Sequence, residues 1–293
     1  MKKIAINARP LLPEHKEPIS LLVKSLRENG AKLQVTPVFC NWLESNQLFT
    51  EDIRVFTSIH ELDIDTDLVI SIGGDGTILE TVTFVGEKQI PIIGINAGRL
   101  GFLANVRLQE ISNAIEKIFS NQLCIENRSL IQLESNLDLF NGLNFGVNEF
   151  SILKKDTSSM IVIHAYINGE YLNSYWSDGL IISTPTGSTG YSLSCGGPIV
   201  LPFSNTFVVA PLSPHNLNVR PLVIPDNCEL SFKVEDRKKK FLVALDSRSK
   251  AVDPDIELKV RRASFDLRLV SLDGHDFIST LRKKLLWGLD YRN

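Results

Sequence analysis

The sequence predicts an α/β layered domain followed by a mostly antiparallel β domain. Three observations carry that prediction. Over the first hundred residues strand-like apolar runs alternate with amphipathic helical segments; beyond residue 121 a period of two replaces the helical period; and 293 residues favour two domains over one. With 43% hydrophobic residues the chain can bury a substantial core.

The first strand is expected at KKIAIN, Lys2 to Asn7, and an amphipathic helix at ISLLVKSLRENG. There Ile19, Leu22, Val23 and Leu26 recur at helical spacing and Gly30 supplies the stop. KLQVTPVF, Lys32 to Phe39, reads as strand-like, and TDLVISI and IPIIGI as buried strands. Runs that are apolar on both faces belong to a parallel sheet covered by helices on both sides. A further helix is expected at RLQEISNAIEKIFSN, where Leu108, Ile111, Ile115, Ile118 and Phe119 form one stripe.

Past that helix, Asn168-Gly169 stands between strand-like flanks, a strong hairpin signal. CELSFKVEDRKKKFLVALDS and DIELKVRRASFDLRLVSL alternate apolar and polar residues as half-buried antiparallel strands do. The basic run Arg237 to Lys240 is expected at a solvated hairpin tip. Phe277, Leu281, Leu285 and Leu289 return to helical spacing, and this tail is expected to pack back on the first domain.

Composition excludes several functions. A formal net charge of -3 gives no basic field for nucleic acid or anionic membrane, so neither partner is expected. Cys40, Cys124, Cys195 and Cys228 form no C-x-x-C pair, which points to reduced thiols rather than zinc or a disulfide framework. No run reaches the length of a membrane span, and the amino-terminal apolar run is too short for a signal peptide. A cytoplasmic protein is expected.

Three stretches carry chemistry. SIGGDGTILE, Ser71 to Glu80, places glycines directly after a buried strand, where open parallel sheets bind ligands. Glycines let backbone N–H groups approach a phosphate, and the following helix start adds partial positive charge. The loop is neither a Walker A motif, since the chain has no Gly-Lys pair, nor G-x-G-x-x-G, since Leu79 stands at the last glycine position. Asp75 distinguishes it, because a carboxylate among phosphate-facing amides needs a proton or a metal ion to serve. It can act as general base for an attacking hydroxyl or as a ligand of Mg²⁺.

SDGLIISTPTGSTGYSLSCGGP, Ser177 to Pro198, joins an acid, Asp178, to a π-face, Tyr191, and many neutral donors, the parts that hold a ribose and a flat base. GVNEFS places Asn148 and Glu149 in a strand-like run, a polar pair that by itself reads as the solvent face of a strand. An Asn amide can read an adenine edge, and a Glu can accept from ribose hydroxyls.

Together with GINAGRLGFL and RPLVIP, these stretches resemble the ATP-dependent NAD kinase family in order and approximate spacing. The GGDGT motif alone is shared with a wider superfamily that includes diacylglycerol kinases and phosphofructokinases, whereas Ser177 to Val200 is far more specific. The resemblance implies a Rossmann-like three-layer first domain, residues 1–104 plus 276–293, and a β-rich NAD-binding domain, residues 105–275. It also implies NAD held between the domains of a homo-oligomer, a dimer or tetramer. Asp75 would accept the proton of the adenosine ribose 2'-hydroxyl, and Gly73, Gly74, Gly76 and Thr77 would line the phosphate side, with Asp75 and Gly76 also touching NAD. Asn148 would meet adenine, Glu149 ribose and Asp178 the nicotinamide end. Thr189, Gly190, Tyr191, Ser192, Leu193 and Ser194 would wrap the dinucleotide, and Phe102 would close the pocket.

Arg99 replaces an asparagine common before LGF in the family, Gly190 an alanine, and LDSR, Leu245 to Arg248, stands where many members carry Asp-Gly-Gln. Arg248 is the site candidate from that loop. Trp176 stands where some members carry an arginine associated with acceptor choice. The implied reaction is ATP + NAD to ADP + NADP, with Mg²⁺ or another divalent cation accompanying ATP. The alternatives are a lipid kinase of the wider superfamily, which would want an apolar channel, and a dinucleotide-binding sensor without turnover.

Overall fold

The computed structural model describes residues 1–155, 160–235, 240–272 and 277–287. By internal contacts the chain divides into one unit of residues 1–127 with 267–293 and a second of residues 128–266. The sequence had placed the boundaries at 104 and 275. The difference lies in the helix Ile111–Ser120, whose Ile111, Ala114, Ile115 and Ile118 join the core of the first unit, and in a last strand that runs on into that unit.

In chain order the first unit contains β1 (Lys3–Ala8), α1 (Lys16–Glu28), β2 (Lys32–Val35), α2 (Pro37–Ser45), β3 (Arg54–Val55), β4 (Leu68–Gly73), α3 (Asp75–Val85), β5 (Ile92–Asn96), β6 (Val106–Arg107) and α4 (Ile111–Ser120). The strands pair in parallel in the order β5-β4-β1-β2-β3, with Ile4 opposite both Leu33 and Leu68. Ile4, Ile6, Ile70, Ile72, Ile93 and Ile95 share one face and Ala5, Val69 and Ile92 are buried on the other, as a sheet under helices requires. α1 buries the four residues its spacing marked. KLQVTPVF divides: the strand ends at Val35, and Pro37 opens α2, because its fixed φ suits a first helical turn and its missing N–H costs nothing there.

The chain runs from β1 out to β2 and β3 and then returns to β4 on the other side of β1. The carboxyl ends of β1 and β4 are therefore the point where strand order reverses, the usual place for a ligand crevice in such a sheet.

The strand β7 (Cys124–Ser135) leads into the second unit, followed by β8 (Phe145–Gly146), β9 (Glu149–Lys154), β10 (Ile161–Ile167), β11 (Glu170–Ser177), β12 (Gly179–Ser183), α5 (Tyr191–Ser194), β13 (Thr206–Leu212), β14 (Leu222–Pro225), β15 (Leu230–Glu235), β16 (Phe241–Leu245), β17 (Arg248–Val252) and β18 (Leu258–Ser271). One sheet of this unit pairs β11-β10-β15 with the start of β18, and the other runs β14-β13-β12-β9-β16-β17; these pairings are antiparallel. Both contribute to one apolar core, where the Phe150 and Phe232 rings stack at 5.8 Å. Asn168 and Gly169 have φ of 50° and 84°, the left-handed pair that a two-residue hairpin needs.

The expected hairpin tip at Arg237 lies, except for Lys240, outside the described residues. Its flanking strands pair elsewhere, β15 with β10 and β18, β16 with β9 and β17. The end of β18 pairs in parallel with β5 in the first unit, Leu269 opposite Ile92. The helix α6 (Phe277–Leu285) follows, also in the first unit, and buries Thr280 and Leu281. Leu289 lies outside the described residues. Among the described residues no helix is long and apolar enough to cross a membrane.

Candidate functional site

In the first unit the glycine loop joins β4 to α3, with Gly74 as the residue before the helix and Asp75 at its first position. Its glycines divide by role. A Cβ on Gly74 or Gly76 would meet nothing within 4 Å, so both border open space. A Cβ on Gly73 would stand 2.1 Å from Thr77 Oγ1, and its φ is 155°. Thr77 is buried beneath Gly73, so its side chain shapes the loop from inside. Open backbone at Gly74 and Gly76, at the positive end of an 11-residue helix, is a place where a phosphate is favoured.

Asp75 sits there and is held by main chain. Its Oδ2 accepts the Phe102 N–H at 2.8 Å, and Oδ1 accepts those of Leu103 and Ala104 at 2.9 and 3.0 Å. A carboxylate has about four lone-pair directions, and three are taken. The segment that supplies these donors is itself braced, since Asn96 Nδ2 donates to the carbonyls of Arg99 and Ala104 at 2.7 and 3.1 Å. Phe102 is half-buried, its ring 5.8 Å from Phe277 of α6 and beneath Lys284 Nζ at 4.7 Å. A cavity of about 500 Å³ in the same unit is lined among others by Glu14, His15, Asn96, Gly98 and Arg107. It lies at the end of β5, where Ala97 follows Asn96 and its N–H bonds the Gly73 carbonyl of the loop at 3.1 Å.

The second unit gathers the other predicted residues. Asn148 and Glu149 begin β9, next to the segment from Thr184 to Gly190. Thr184 N–H donates to the Asn148 carbonyl at 2.9 Å and its hydroxyl to Val147 O at 2.6 Å. Gly187 packs so close that a Cβ would stand 2.1 Å from Asn148 O. A Cβ on Gly190 would lie 3.4 Å from Glu149 Oε2, in ordinary contact with that carboxylate. Burial, and secondarily the charge of Asp246, push Glu149 up to about 7.

Tyr191 is 41% exposed. Burial and the nearby Cys195, Asp178 and Glu149 raise its hydroxyl above the ordinary value. In the same segment Thr189 donates to Thr186 O at 3.3 Å, Ser192 is fully buried against Gly197, Leu193 is half-buried and Ser194 is exposed. Asp178, between β11 and β12, is paired with Lys154 Nζ at 2.5 Å. Its carboxylate is thus neutralised from within the protein.

Arg248, expected to touch a dinucleotide, is held by the protein's own main chain. Its guanidinium donates to the carbonyls of Leu143 and Phe145 and lies 5.6 Å from the Phe140 ring centre. The residue of that turn that meets the predicted Asn148–Glu149 segment is Asp246, which sequence reasoning missed. It binds the N–H groups of Val147, Asn148 and Glu149. Its nearest signal in the sequence was an acid in a two-strand turn. Gly101 and Lys154 were missed as well, because each acts on a partner remote in sequence.

Comparison with known proteins agrees with this division. The model of the ATP-NAD kinase N-terminal domain matches residues 24–123 and that of the ATP-NAD kinase C-terminal domain residues 147–272. The NAD kinase of Cytophaga hutchinsonii is 46% identical over 290 residues, 99% of each chain, and that of Flavobacterium psychrophilum 46% identical over 277 residues, 94% of each. Among solved structures, yeast NADH kinase complexed with NADH superposes with a TM-score of 0.87 at 22% identity, over 100% of this chain and 89% of that one. An NAD kinase from Archaeoglobus fulgidus in complex with ATP gives 0.72 at 22% identity, over 97% and 98%. These two share the two-domain α/β and β fold. Since the family models meet the phosphate loop in one unit and the hydroxyl-rich loop in the other, and full-length relatives match at nearly half of all positions, the chain belongs to the ATP-NAD kinase family.

Proposed function

We propose that this chain, an NAD kinase, moves the γ-phosphoryl group of ATP to the 2'-hydroxyl of the adenosine ribose of NAD with Asp75 as the proton acceptor. The observation that carries the residue assignment is the Asp75 carboxylate, fixed by three N–H donors beside the open backbone of Gly74 and Gly76. Those donors leave about one acceptor direction free, which is enough for one hydroxyl proton. Phosphoryl transfer asks for little covalent chemistry, so positioning and charge do most of the work.

The loop amides and the start of α3 take the phosphate side, and the cavity lined by His15, Asn96 and Arg107 has room for the nucleotide of the donor. On the acceptor side Asn148 meets adenine, Glu149 a ribose hydroxyl and Tyr191 a ring face. Among the described residues no three His, Cys, Asp or Glu side chains converge, and the Asp75 oxygens already take three N–H groups and keep about one direction free. Mg²⁺ or another divalent cation enters as part of the ATP substrate, on phosphate oxygens and water. The enzyme works in the cytoplasm as a homo-oligomer, dimer or tetramer.

One experiment separates this reading from its rivals: labelled ATP is incubated with NAD or with a diacylglycerol and the product identified. Labelled NADP is the expected result. Labelled lipid supports the lipid-kinase reading, and NAD binding without transfer supports the sensor.

A further inference from the structure

Glu149 occupies an unusual setting for a carboxylate. Its Oε2 is shut off from water and has no hydrogen-bond partner among the described residues. A buried acceptor left unpaired is costly, and such groups persist where a ligand completes them.

Asp246, in the turn between β16 and β17, accepts the Val147 N–H on Oδ2 at 2.8 Å and those of Asn148 and Glu149 on Oδ1 at 2.8 and 3.2 Å. Its own N–H donates to the Glu149 carbonyl at 2.9 Å. Gly146 permits the approach, since even a Cβ there would stand 3.1 Å from Asp246 Oδ1. From the other side Thr184 and Gly187 close on the Val147 and Asn148 carbonyls. Arg248 holds the Leu143 and Phe145 carbonyls and places positive charge near Asp246.

We propose that Asp246 is the positioning residue of the acceptor-nucleotide site: one carboxylate clamps three consecutive N–H groups and so fixes where Asn148 and Glu149 stand to receive a ribose-bearing ligand. The identity of that ligand rests on the NAD kinase reading; the clamp itself does not. A second consequence follows from charge. Burial and Asp246 together raise Glu149 to about 7. Burial also raises Asp246, opposed by its three N–H bonds and by Arg248. The other groups near Glu149 are Tyr191 and Cys195, and Asp178, which adjoins Tyr191, is paired with Lys154. An ionised Glu149 accepts a ligand hydroxyl, so NAD affinity falls as pH drops through the Glu149 value and is full above it.

The test is NAD binding to the full chain by calorimetry, from about pH 5.5 to 8.5. For D246N the expected result is NAD affinity about 10- to 100-fold weaker at the alkaline end, an unchanged KM for ATP, and an acid limb moved to lower pH. The limb shift separates positioning with charge coupling from a merely structural role. Thermal unfolding, NAD affinity and acid limb all like wild type in D246N would overturn the proposal. Should D246N not fold, the same titration on wild type and E149Q carries the test. A limb present near neutral pH in wild type and gone in E149Q supports it, and a flat wild-type profile overturns it. Failure of the function reading looks different, because wild type itself then binds no NAD.

Discussion

A Cβ on Gly101 would stand 1.9 Å from Asp75 Oδ1. The loop that donates its N–H groups to the proposed base therefore depends on a residue without a side chain, 26 positions along the chain. The φ of Gly101 is not in the left-handed region, so the requirement is one of space rather than backbone strain. Gly101→Ala is expected to push the loop off Asp75 and lower kcat by roughly 10²- to 10³-fold, with NAD affinity changed only a few-fold. Steady-state kinetics with both substrates varied checks it. Wild-type turnover in this variant would show that the seating of Asp75 on the loop is irrelevant to the reaction.

Asp75→Asn is the direct test of the base. Turnover is expected to fall roughly 10²- to 10⁴-fold while NAD affinity holds. The three N–H donors add a second expectation. An amide nitrogen in place of one carboxylate oxygen would face an N–H group, so the variant should also lose roughly 1 to 3 kcal/mol of stability. Differential scanning calorimetry beside the assay separates the two effects; a variant as stable and as active as wild type would remove both roles.

Tyr191 presents an exposed ring on a segment with little packing to lose. Tyr191→Ala is expected to weaken NAD binding by about 1 to 3 kcal/mol and to leave unfolding without ligand within about 0.5 kcal/mol. Equal affinity for NAD in variant and wild type would return Tyr191 to an ordinary surface position.

Glu149 gives a pH-dependent stability. Its folded value, about 7, lies above the unfolded one, so the folded chain binds this proton more tightly. Ionising it therefore destabilises the fold, progressively from pH near 4.5 to about 7 and by a constant amount above. Glu149→Gln removes that charge. It is expected to be more stable than wild type by about 1 to 3 kcal/mol at alkaline pH, the gap closing as pH falls. Its NAD affinity should be lower throughout the alkaline range. A stability difference that does not change with pH would contradict the raised value.

Much of this was legible in the sequence because it is local. The apolar runs, the helical stripe of α1, the left-handed Asn168-Gly169 pair and the glycines after β4 each depend on residues a few positions apart. What was missed depends on partners far along the chain. Asp246 binds an amide 98 positions away, and nothing in LDSR announces that. Arg248 is a candidate only because LDSR stands at the Asp-Gly-Gln loop of the family, whereas the fold brings two backbone carbonyls to its guanidinium. Pro37 was read within a strand because the apolar run continues through it, although proline at that point starts a helix.

The tail supplies the last expectation. Phe277 and Lys284 of α6 both meet the Phe102 ring, and the Phe102 N–H is one of the donors that hold Asp75. Leu281, one turn on from Phe277, is 4% exposed and anchors the helix to the same unit. The helix thus reaches the proposed base through a single residue, without belonging to any motif. An aromatic pair contributes about 0.5 to 1.5 kcal/mol and a cation over a ring about 0.5 to 1. Phe277→Ala combined with Lys284→Ala is therefore expected to loosen the loop and lower kcat about tenfold, with little change in NAD affinity. Deleting residues 277–293 should cost more, because it also uncovers the pocket that Leu281 fills, and the shortened chain should unfold at lower temperature. Each variant is assayed beside its own melting curve. If the double variant and the deletion were both fully active and soluble, the contact between α6 and Phe102 would have no part in holding Asp75.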